Sequence, residues 1–451
     1  MENKKTYLTF PKKLAYGMGD LGSNFFYMLI SSFVLIYATD AIGMDAKIVG
    51  TLIMVSKLLD GVTDVFFGGL IDKTHSKMGK ARPWMFYSGF PLALCLVLVF
   101  AIPTGMGSTA QYVWFFIFYT LSNAVFYTAN NISYATLSAL ITKNDAERVS
   151  LGSFRYIFAV LASVIVSASA VAVANAMGGG AAGWRNMAII FALVFLVFNS
   201  LSSLVSKEVV ENDETSSVST NENKDSFWSL LKIVFTNKYY LLLLAIYLLM
   251  YTNTGLGTSI GVYYFQYIMG NASLLGVVSM SSMVMIVGLI FNPGLVKKFG
   301  MYKVNLISYI ATTAISAISC IFVFSASLPG IIATAFIRAI AMAFLMGSLN
   351  ALVAEVAQNN FLVNGVHTEG MMFSCSSIGM KVGGGIGAAL AGWLLSAAGY
   401  VGTAATQTDS VNIMIKAIYG VAPLIITILI TLCLAAMKVD DVNRKLEKGQ
   451  N

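Results

Sequence analysis

The chain has 451 residues, of which 57% are hydrophobic and only 11% are charged, and its mean hydropathy is +0.76. Soluble domains carry roughly 25% charged residues, so this composition excludes a soluble globular protein. The net charge of +7 comes from Lys and Arg beside apolar segments and requires no nucleic-acid partner.

Apolar stretches of about 20 residues, long enough to cross a bilayer as helices, recur along the whole chain. They are too long and too continuously apolar for the alternating strands of a membrane β-barrel. The sequence therefore predicts an all-α membrane protein with twelve transmembrane helices. The predicted spans are 14–39, 46–71, 84–104, 110–141, 149–176, 184–205, 239–269, 273–296, 303–325, 329–356, 370–397 and 411–436.

Basic residues cluster on one side of this topology. They precede span one and follow spans two, four, six, eight and twelve, whereas the alternate loops hold few. By the positive-inside rule, both termini are predicted to be cytoplasmic, in a multi-pass protein of the inner (cytoplasmic) membrane. The first eleven residues are polar and basic, so we expect no cleavable signal peptide.

The chain divides near its middle at its only long polar stretch. We predict a six-helix bundle over 1–206, a cytoplasmic linker over 207–232 and a second six-helix bundle over 233–451. A glycine followed by a basic turn ends both span two and span eight. Six spans on each side of the linker, with this turn repeated in both halves, favour two pseudo-symmetric bundles and alternating access by rocking.

Two acids, Asp60 and Asp64, lie one helical turn apart in span two, and Lys57 lies on the same stripe. A carboxylate at bilayer depth is costly and usually marks an ion path. The pattern predicts a cation-coupling site. The alternative is a purely structural ion pair, of Asp60 with Lys57 or of Asp64 with Lys381.

The loop after span two and four helical segments carry a family resemblance. The matching residues are Tyr16, Gly17, Gly19, Asp20, Gly22 and Asn24; Asp60, Thr63 and Asp64; Gly69, Asp72, Lys73, Gly79, Lys80, Arg82, Pro83 and Trp84; Asn131 and Tyr134, with Ser133 in place of a proline; and Tyr263, Tyr264, Phe265 and Tyr267. With these residues the chain resembles the glycoside–pentoside–hexuronide:cation symporters, a branch of the major facilitator superfamily that includes the melibiose carriers. The resemblance implies the major-facilitator fold and a transporter, not an enzyme.

The resemblance also implies roles for particular residues. The coupling cation, Na⁺ or H⁺, would bind at Asp60, Asp64, Thr63 and Thr128, since hard cations favour oxygen ligands and close carboxylates can share a proton. No resident cofactor or metal is expected. The residues implied to bind substrate are Asn24, Asp20, Asn131, Tyr134, Arg155, Ser377 and Lys381.

Several of these assignments leave alternatives open. Asn24 and Asn131 replace two acids of the melibiose carriers, and they can instead join helices by hydrogen bonds. The aromatic residue that stacks on the sugar would be Tyr134 or Tyr127. Gly383–Gly385 and Gly387 indicate close packing or bending of span eleven.

Arg338 is an unexpected cation in span ten, about 14 Å deep at 1.5 Å per residue. It motivates a second hypothesis, that the substrate is an organic anion such as a glycuronide, held by Arg338 or Arg155. Alternatively, Arg338 forms a salt bridge with Asp20 or reaches the membrane surface.

The remaining predicted roles are conformational. Asp72, Lys73 and Arg82 are expected to form a cytoplasmic charge latch, and Lys57 to make a contact that changes during transport. The favoured function is Na⁺- or H⁺-coupled symport of a galactoside, xyloside, glucoside or glucuronide. A sodium-dependent lysolipid carrier remains an alternative, and the expected partners are the sugar, the cation and membrane lipid around a monomer.

Overall fold

The computed structural model describes residues 7–72, 74–142, 145–209, 235–365, 369–404 and 406–447. Every regular element within these ranges is a helix, and they contain no strand. The prediction of an all-α protein is therefore confirmed.

Long helices follow one another along the described residues, and a short amphipathic helix follows the last of them. Their bounds are α1 Phe10–Ala41, α2 Ala46–Asp72, α3 Arg82–Val99, α4 (Ser108–Thr120, Leu121–Tyr127 and Thr128–Leu140), α5 Asp145–Ala176, α6 Gly180–Val205, α7 Lys238–Ile268, α8 Leu274–Phe299, α9 Met301–Phe324, α10 Leu328–Asn364, α11 Glu369–Ala397, α12 (Asp409–Lys416, Ala417–Val421 and Ala422–Ala436) and α13 Val439–Glu447.

Two helices depart from the predicted spans. Helix α3 ends at Val99, before the predicted 104, because the chain reaches Pro103 and the residue before a proline disfavours helical backbone. Helix α10 continues past the predicted 356 to Asn364, where Gly365 ends it with a left-handed φ of 69°.

Ten helices in the described part of the chain are long and apolar enough to cross a membrane by length and composition. Helices α2 and α4 are of similar length and do not belong to that set. The count of twelve spans and the cytoplasmic location of the termini therefore stay predictions.

Several long helices contain π-helical turns, which are rare and often occur at functional sites. One such segment, Leu121–Tyr127, directly precedes Thr128 in α4. Two others, Tyr37–Ala41 and Tyr264–Ile268, end α1 and α7, which are the first helices of the two predicted repeats.

The chain forms two compact units. The first comprises 1–217, 261–279 and 389–411, and the second comprises 218–260, 280–388 and 412–451. The domain boundaries at 206 and 232 stay predictions, and most of the predicted linker lies in 210–234, outside the described residues.

In the first unit α1 packs along α5 and α6. The glycines of α1 permit this close approach. A Cβ atom on Gly17 would lie 2.8 Å from Cβ of Phe154 in α5, and one on Gly19 would lie 2.7 Å from Oγ of Ser202 in α6. The adjacent Asp20 is thereby held against α5.

In the second unit α10 packs against α8 and α9, and α9 packs against α12. Helices α7 and α11 also approach closely, since a Cβ atom on Gly387 would lie 2.3 Å from the carbonyl oxygen of Thr252. The predicted close packing of the glycine-rich part of α11 is therefore confirmed.

Candidate functional site

Asp60 and Thr128 meet inside the first unit. Both side chains are buried, with exposed fractions of 7% and 3%. The Thr128 hydroxyl lies 2.5 Å from Oδ1 of Asp60 and can donate to it, and it also lies 3.2 Å from the carbonyl oxygen of Asn123. The π-helical segment of α4 ends at Tyr127 and places Thr128 opposite α2.

The hydroxyl of Thr63 has a different partner. It donates to the main-chain carbonyl oxygen of Asp60 at 3.0 Å, within its own helix. The structure thus brings Thr128 to the Asp60 carboxylate and uses the Thr63 hydroxyl to satisfy backbone. The backbone of Asp64 lies one turn further along α2, and its side chain is outside the described part of the chain.

Lys57 lies on α2 three residues before Asp60, on the same stripe of the helix. Its Nζ atom is 5.6 Å from the centre of the Tyr27 ring on α1, a cation–π distance. The α1 and α2 helices therefore contribute a base, an acid and an aromatic ring to one region of the first unit.

Asp20 and Arg155 form an ion pair between α1 and α5. Nε of Arg155 donates to Oδ2 of Asp20 at 2.5 Å. Arg155 also lies over the Tyr134 ring, 4.3 Å from its centre. The partner of Asp20 is thus Arg155, which corrects the alternative reading of a salt bridge between Asp20 and Arg338.

Tyr134 is locked to α1 by a reciprocal pair of hydrogen bonds. Its hydroxyl donates to the carbonyl oxygen of Tyr16 at 2.7 Å, and the Tyr16 hydroxyl donates to the carbonyl oxygen of Tyr134 at 2.9 Å. The two rings are 4.7 Å apart, and both side chains are fully buried. In this conformation Tyr134 therefore has no free face for stacking on a sugar.

The two predicted substrate-binding asparagines differ in their surroundings. The Asn24 amide donates to the carbonyl oxygen of Asp20 one turn earlier in α1, at 2.8 Å. Asn131, on α4, is half-buried and makes no hydrogen bond to any other residue that the structure describes. Of the two, Asn131 therefore keeps its full hydrogen-bonding capacity for a ligand.

The other predicted substrate contacts belong to the second unit. Lys381 is half-buried on α11, and the side chain of Ser377 lies outside the described residues. Arg338, on α10, lines a cavity of about 300 Å³. Neither an ion pair nor a hydrogen bond joins Arg338 to the part of the chain described here.

The structure describes only part of the predicted charge latch of Asp72, Lys73 and Arg82. The side chain of Asp72 and the whole of Lys73 lie outside the described residues. Arg82 instead closes the end of α6, because its guanidinium donates to the carbonyl oxygens of Ser203 and Leu204, each at 3.0 Å. Sequence reasoning missed the second half of this contact, Glu208.

A cluster around Asp40, at the end of α1, was also missed. Tyr267 donates to Oδ2 of Asp40 at 2.5 Å, and Tyr400 donates to Oδ1. Burial, above all, and the nearby Tyr263 and Asp40 raise the pKa of Tyr400 far above its usual value, so this phenol stays protonated as a donor. The sequence signal that could have indicated this cluster is the acidic residue Asp40 at the end of a predicted span.

Long apolar helices with acids and bases placed inside them are the mark of a membrane transporter for ions or polar solutes. A family model described as MFS/sugar transport protein matches residues 15–441. The chain belongs to that family, and its resemblance to the glycoside–pentoside–hexuronide:cation symporters is confirmed. It is a multi-pass inner-membrane transporter and not an enzyme.

Individual relatives match nearly the whole chain. The isoprimeverose transporter of Lactiplantibacillus pentosus is 28% identical over 98% of this chain and 91% of its own length. A putative sulfoquinovose importer of Escherichia coli is 26% identical over 98% of this chain and 95% of its own length. The crystal structure of a D-xylose–proton symporter, 14% identical, superposes with a TM-score of 0.64 over 93% of this chain and 96% of that one. This likeness shows the major-facilitator fold.

Proposed function

We propose that the protein is a secondary active symporter that couples Na⁺ or H⁺ to the movement of a sugar or glycoside by alternating access. The observation that carries the proposal is the buried carboxylate of Asp60 with the Thr128 hydroxyl 2.5 Å from it. A buried acid with an oxygen ligand beside it suits a hard cation or a transferable proton.

The substrate class rests on the named relatives. One is named for isoprimeverose and another for sulfoquinovose, so both names refer to sugars. As its name says, sulfoquinovose bears a sulfo group, so the family leaves the charge of the substrate open. The half-buried amide of Asn131, which makes no hydrogen bond to any described residue, supports a polyol ligand, since an amide both donates and accepts.

The proposed topology has twelve spans with both termini in the cytoplasm and a monomer as the transporting unit. The positions of the basic loops support this orientation. Single cysteines placed at Lys77 and Met106, in the turns after α2 and α3, test it with a membrane-impermeant thiol reagent. In right-side-out vesicles we expect labelling at 106 and none at 77; the reverse pattern would contradict the orientation.

The first experiment measures substrate-induced cation movement in tight, right-side-out vesicles. Galactosides, xylosides, glucosides and glucuronides are added with and without Na⁺, and external pH and Na⁺ uptake are recorded. A sugar that raises the external pH or draws in Na⁺ supports symport and identifies the coupling ion. Silence across the panel together with Na⁺ movement driven by a lysolipid would overturn the proposal.

Asp60→Cys tests the coupling site. We expect it to abolish concentrative uptake of the substrate found in the panel while downhill exchange of that substrate continues. Full accumulation by the variant would contradict the role of Asp60.

The two threonines provide a matched pair of variants. Thr128→Val removes the hydroxyl beside the carboxylate, whereas Thr63→Val removes one that donates to backbone. A hydrogen bond to a charged group contributes about 1.5–3 kcal/mol, so Thr128→Val should weaken apparent cation affinity about tenfold or more. Thr63→Val should change the apparent cation affinity less, and equal effects would argue against cation binding between Asp60 and Thr128.

A further inference from the structure

Arg338 stands in a cavity of the second unit. Helices α7, α8 and α10 form its wall, and the volume is about 300 Å³. This lies at the lower end of the range for small-molecule sites, about 300–1,000 Å³, and suits a ligand of monosaccharide size. Arg338 is half-buried and belongs to the lining of the cavity.

No acidic residue in the described part of the chain pairs with Arg338. The cavity lining contains no Asp or Glu, and Arg338 has no ion pair with any residue in the described ranges. Arg155 shows the contrast, because it is paired with Asp20 at 2.5 Å. A cation inside an apolar helix is expensive, and such residues usually mark a substrate or ion pathway.

The rest of the lining can hold a polyol. Thr254, Ser281 and Ser282 bring hydroxyl groups, and Tyr251 brings an aromatic ring. The other walls are largely methionine, an adaptable apolar surface. One cation, three small hydroxyls and an aromatic ring are the groups needed for a sugar that carries a single negative charge.

We propose that Arg338 binds the anionic group of an acidic sugar, a carboxylate or a sulfonate, in this cavity. The planar guanidinium can donate two parallel hydrogen bonds to either oxyanion. This inference rests on the proposed sugar transport and specifies its substrate class. Arg155, neutralised by Asp20, is the weaker candidate for the same task.

The test uses the full-length protein in tight proteoliposomes, with uptake of glucuronate compared with glucose, and of methyl glucuronide compared with methyl glucoside. The wild type should transport the acidic member of at least one pair about tenfold or more faster, as expected for a hydrogen-bonded charge pair. Arg338→Gln should remove that preference, and Arg338→Lys should restore part of it.

The outcomes separate this inference from the proposed function. A preference for the acidic sugar that Arg338→Gln does not alter, or cation-coupled transport of neutral sugars with no preference for acidic ones, would overturn the role of Arg338 and leave symport standing. The absence of cation movement with any sugar would count against symport itself. An acidic lipid that copurifies with the wild type and not with Arg338→Gln would show that a headgroup fills the cavity, and would also overturn the inference.

A second measurement covers the case in which Arg338→Gln does not fold. In the wild type, the acidic and neutral members of a pair compete for uptake of a labelled substrate. Inhibition by the acidic sugar at about one-tenth of the concentration required for the neutral one is expected. Equal potency would contradict an anion-binding residue in the substrate site.

Discussion

Arg82 and Glu208 cap each other's helices. Arg82, at the start of α3, caps the C-terminus of α6, and Glu208, just after α6, caps the N-terminus of α3. The Arg82 side chain donates to the last carbonyl groups of α6, at Ser203 and Leu204. The Glu208 carboxylate accepts from the backbone N–H groups of Lys80, Ala81 and Arg82, at 2.8–3.0 Å, where α3 begins. Charges of these signs at these helix ends also match the helix dipoles.

We expect Glu208→Ala to destabilise the protein by about 1–2 kcal/mol, the usual loss for a helix N-cap. Arg82→Ala should cost a similar amount. Because the two side chains join the same pair of helices, the double variant should lose less stability than the sum of the single losses. The measurement is thermal unfolding in detergent followed by size exclusion, with Lys77→Ala as the control; strict additivity would argue against a shared structure.

Neutralising one member of the Asp20–Arg155 pair should be worse than neutralising both. Asp20→Asn leaves a cation and Arg155→Gln leaves an acid, and breaking a buried pair costs about 3–5 kcal/mol. Arg155 is 26% exposed, so we expect nearer 2 kcal/mol here, with a smaller loss in the double variant.

Transport by the same variants separates two roles for this pair. If it only holds α1 against α5, the double variant should be stable and should transport. A stable double variant that no longer transports would show that Asp20 or Arg155 contacts substrate. The control is Tyr156→Phe, a change on the same helix that leaves both charges in place.

The fold was predictable because bilayer thickness dictates the length of each apolar segment, and ten of the twelve predicted C-terminal ends fall close to observed helix ends. Asp60 was also predictable, since helical spacing and cost of burial are local properties. The partner of Asp20 was not, because Arg155 is 135 residues away and only helix packing brings the two together. The role of Glu208 was not predicted because this residue was assigned to a polar linker. The role of Asp40 was not predicted because this residue lies at the end of a span.

The Asp40 cluster predicts a change in local opening. The hydroxyl groups of Tyr267 and Tyr400 both donate to the Asp40 carboxylate, and the two hydroxyl oxygens lie 3.1 Å from each other. Any state that separates the end of α7 from the end of α1 must break these bonds. Each is a hydrogen bond to a charged group, so Tyr267→Phe should favour opening by about 1.5–3 kcal/mol.

Hydrogen exchange measures that opening. Amides of Tyr37–Ala41 and Tyr264–Ile268 should exchange about tenfold or more faster in Tyr267→Phe than in the wild type. Tyr112→Phe is the control, since the Tyr112 hydroxyl accepts from the backbone N–H of Asp45 nearby. Unchanged exchange in both segments would mean that the cluster does not hold them together.

Glu147 should make stability depend on acidity. Burial raises its pKa, but hydrogen bonds from Thr142 and from the backbone N–H groups of Leu8 and Tyr7, with the charge of Lys13, lower it further, so the net pKa is below its usual value. A carboxyl group with a lowered folded-state pKa stabilises the protein above its unfolded pKa of about 4.3, and this contribution is lost as pH falls through the folded value.

Glu147→Gln removes the titration and retains most of the shape of the side chain. The wild type should be more stable than the variant at pH 7, and the difference in unfolding temperature should shrink as pH falls below about 4.3. Because every other carboxylate is common to both proteins, the difference isolates Glu147. A gap that stays constant down to pH 3 would show that Glu147 is not preferentially ionised in the folded protein.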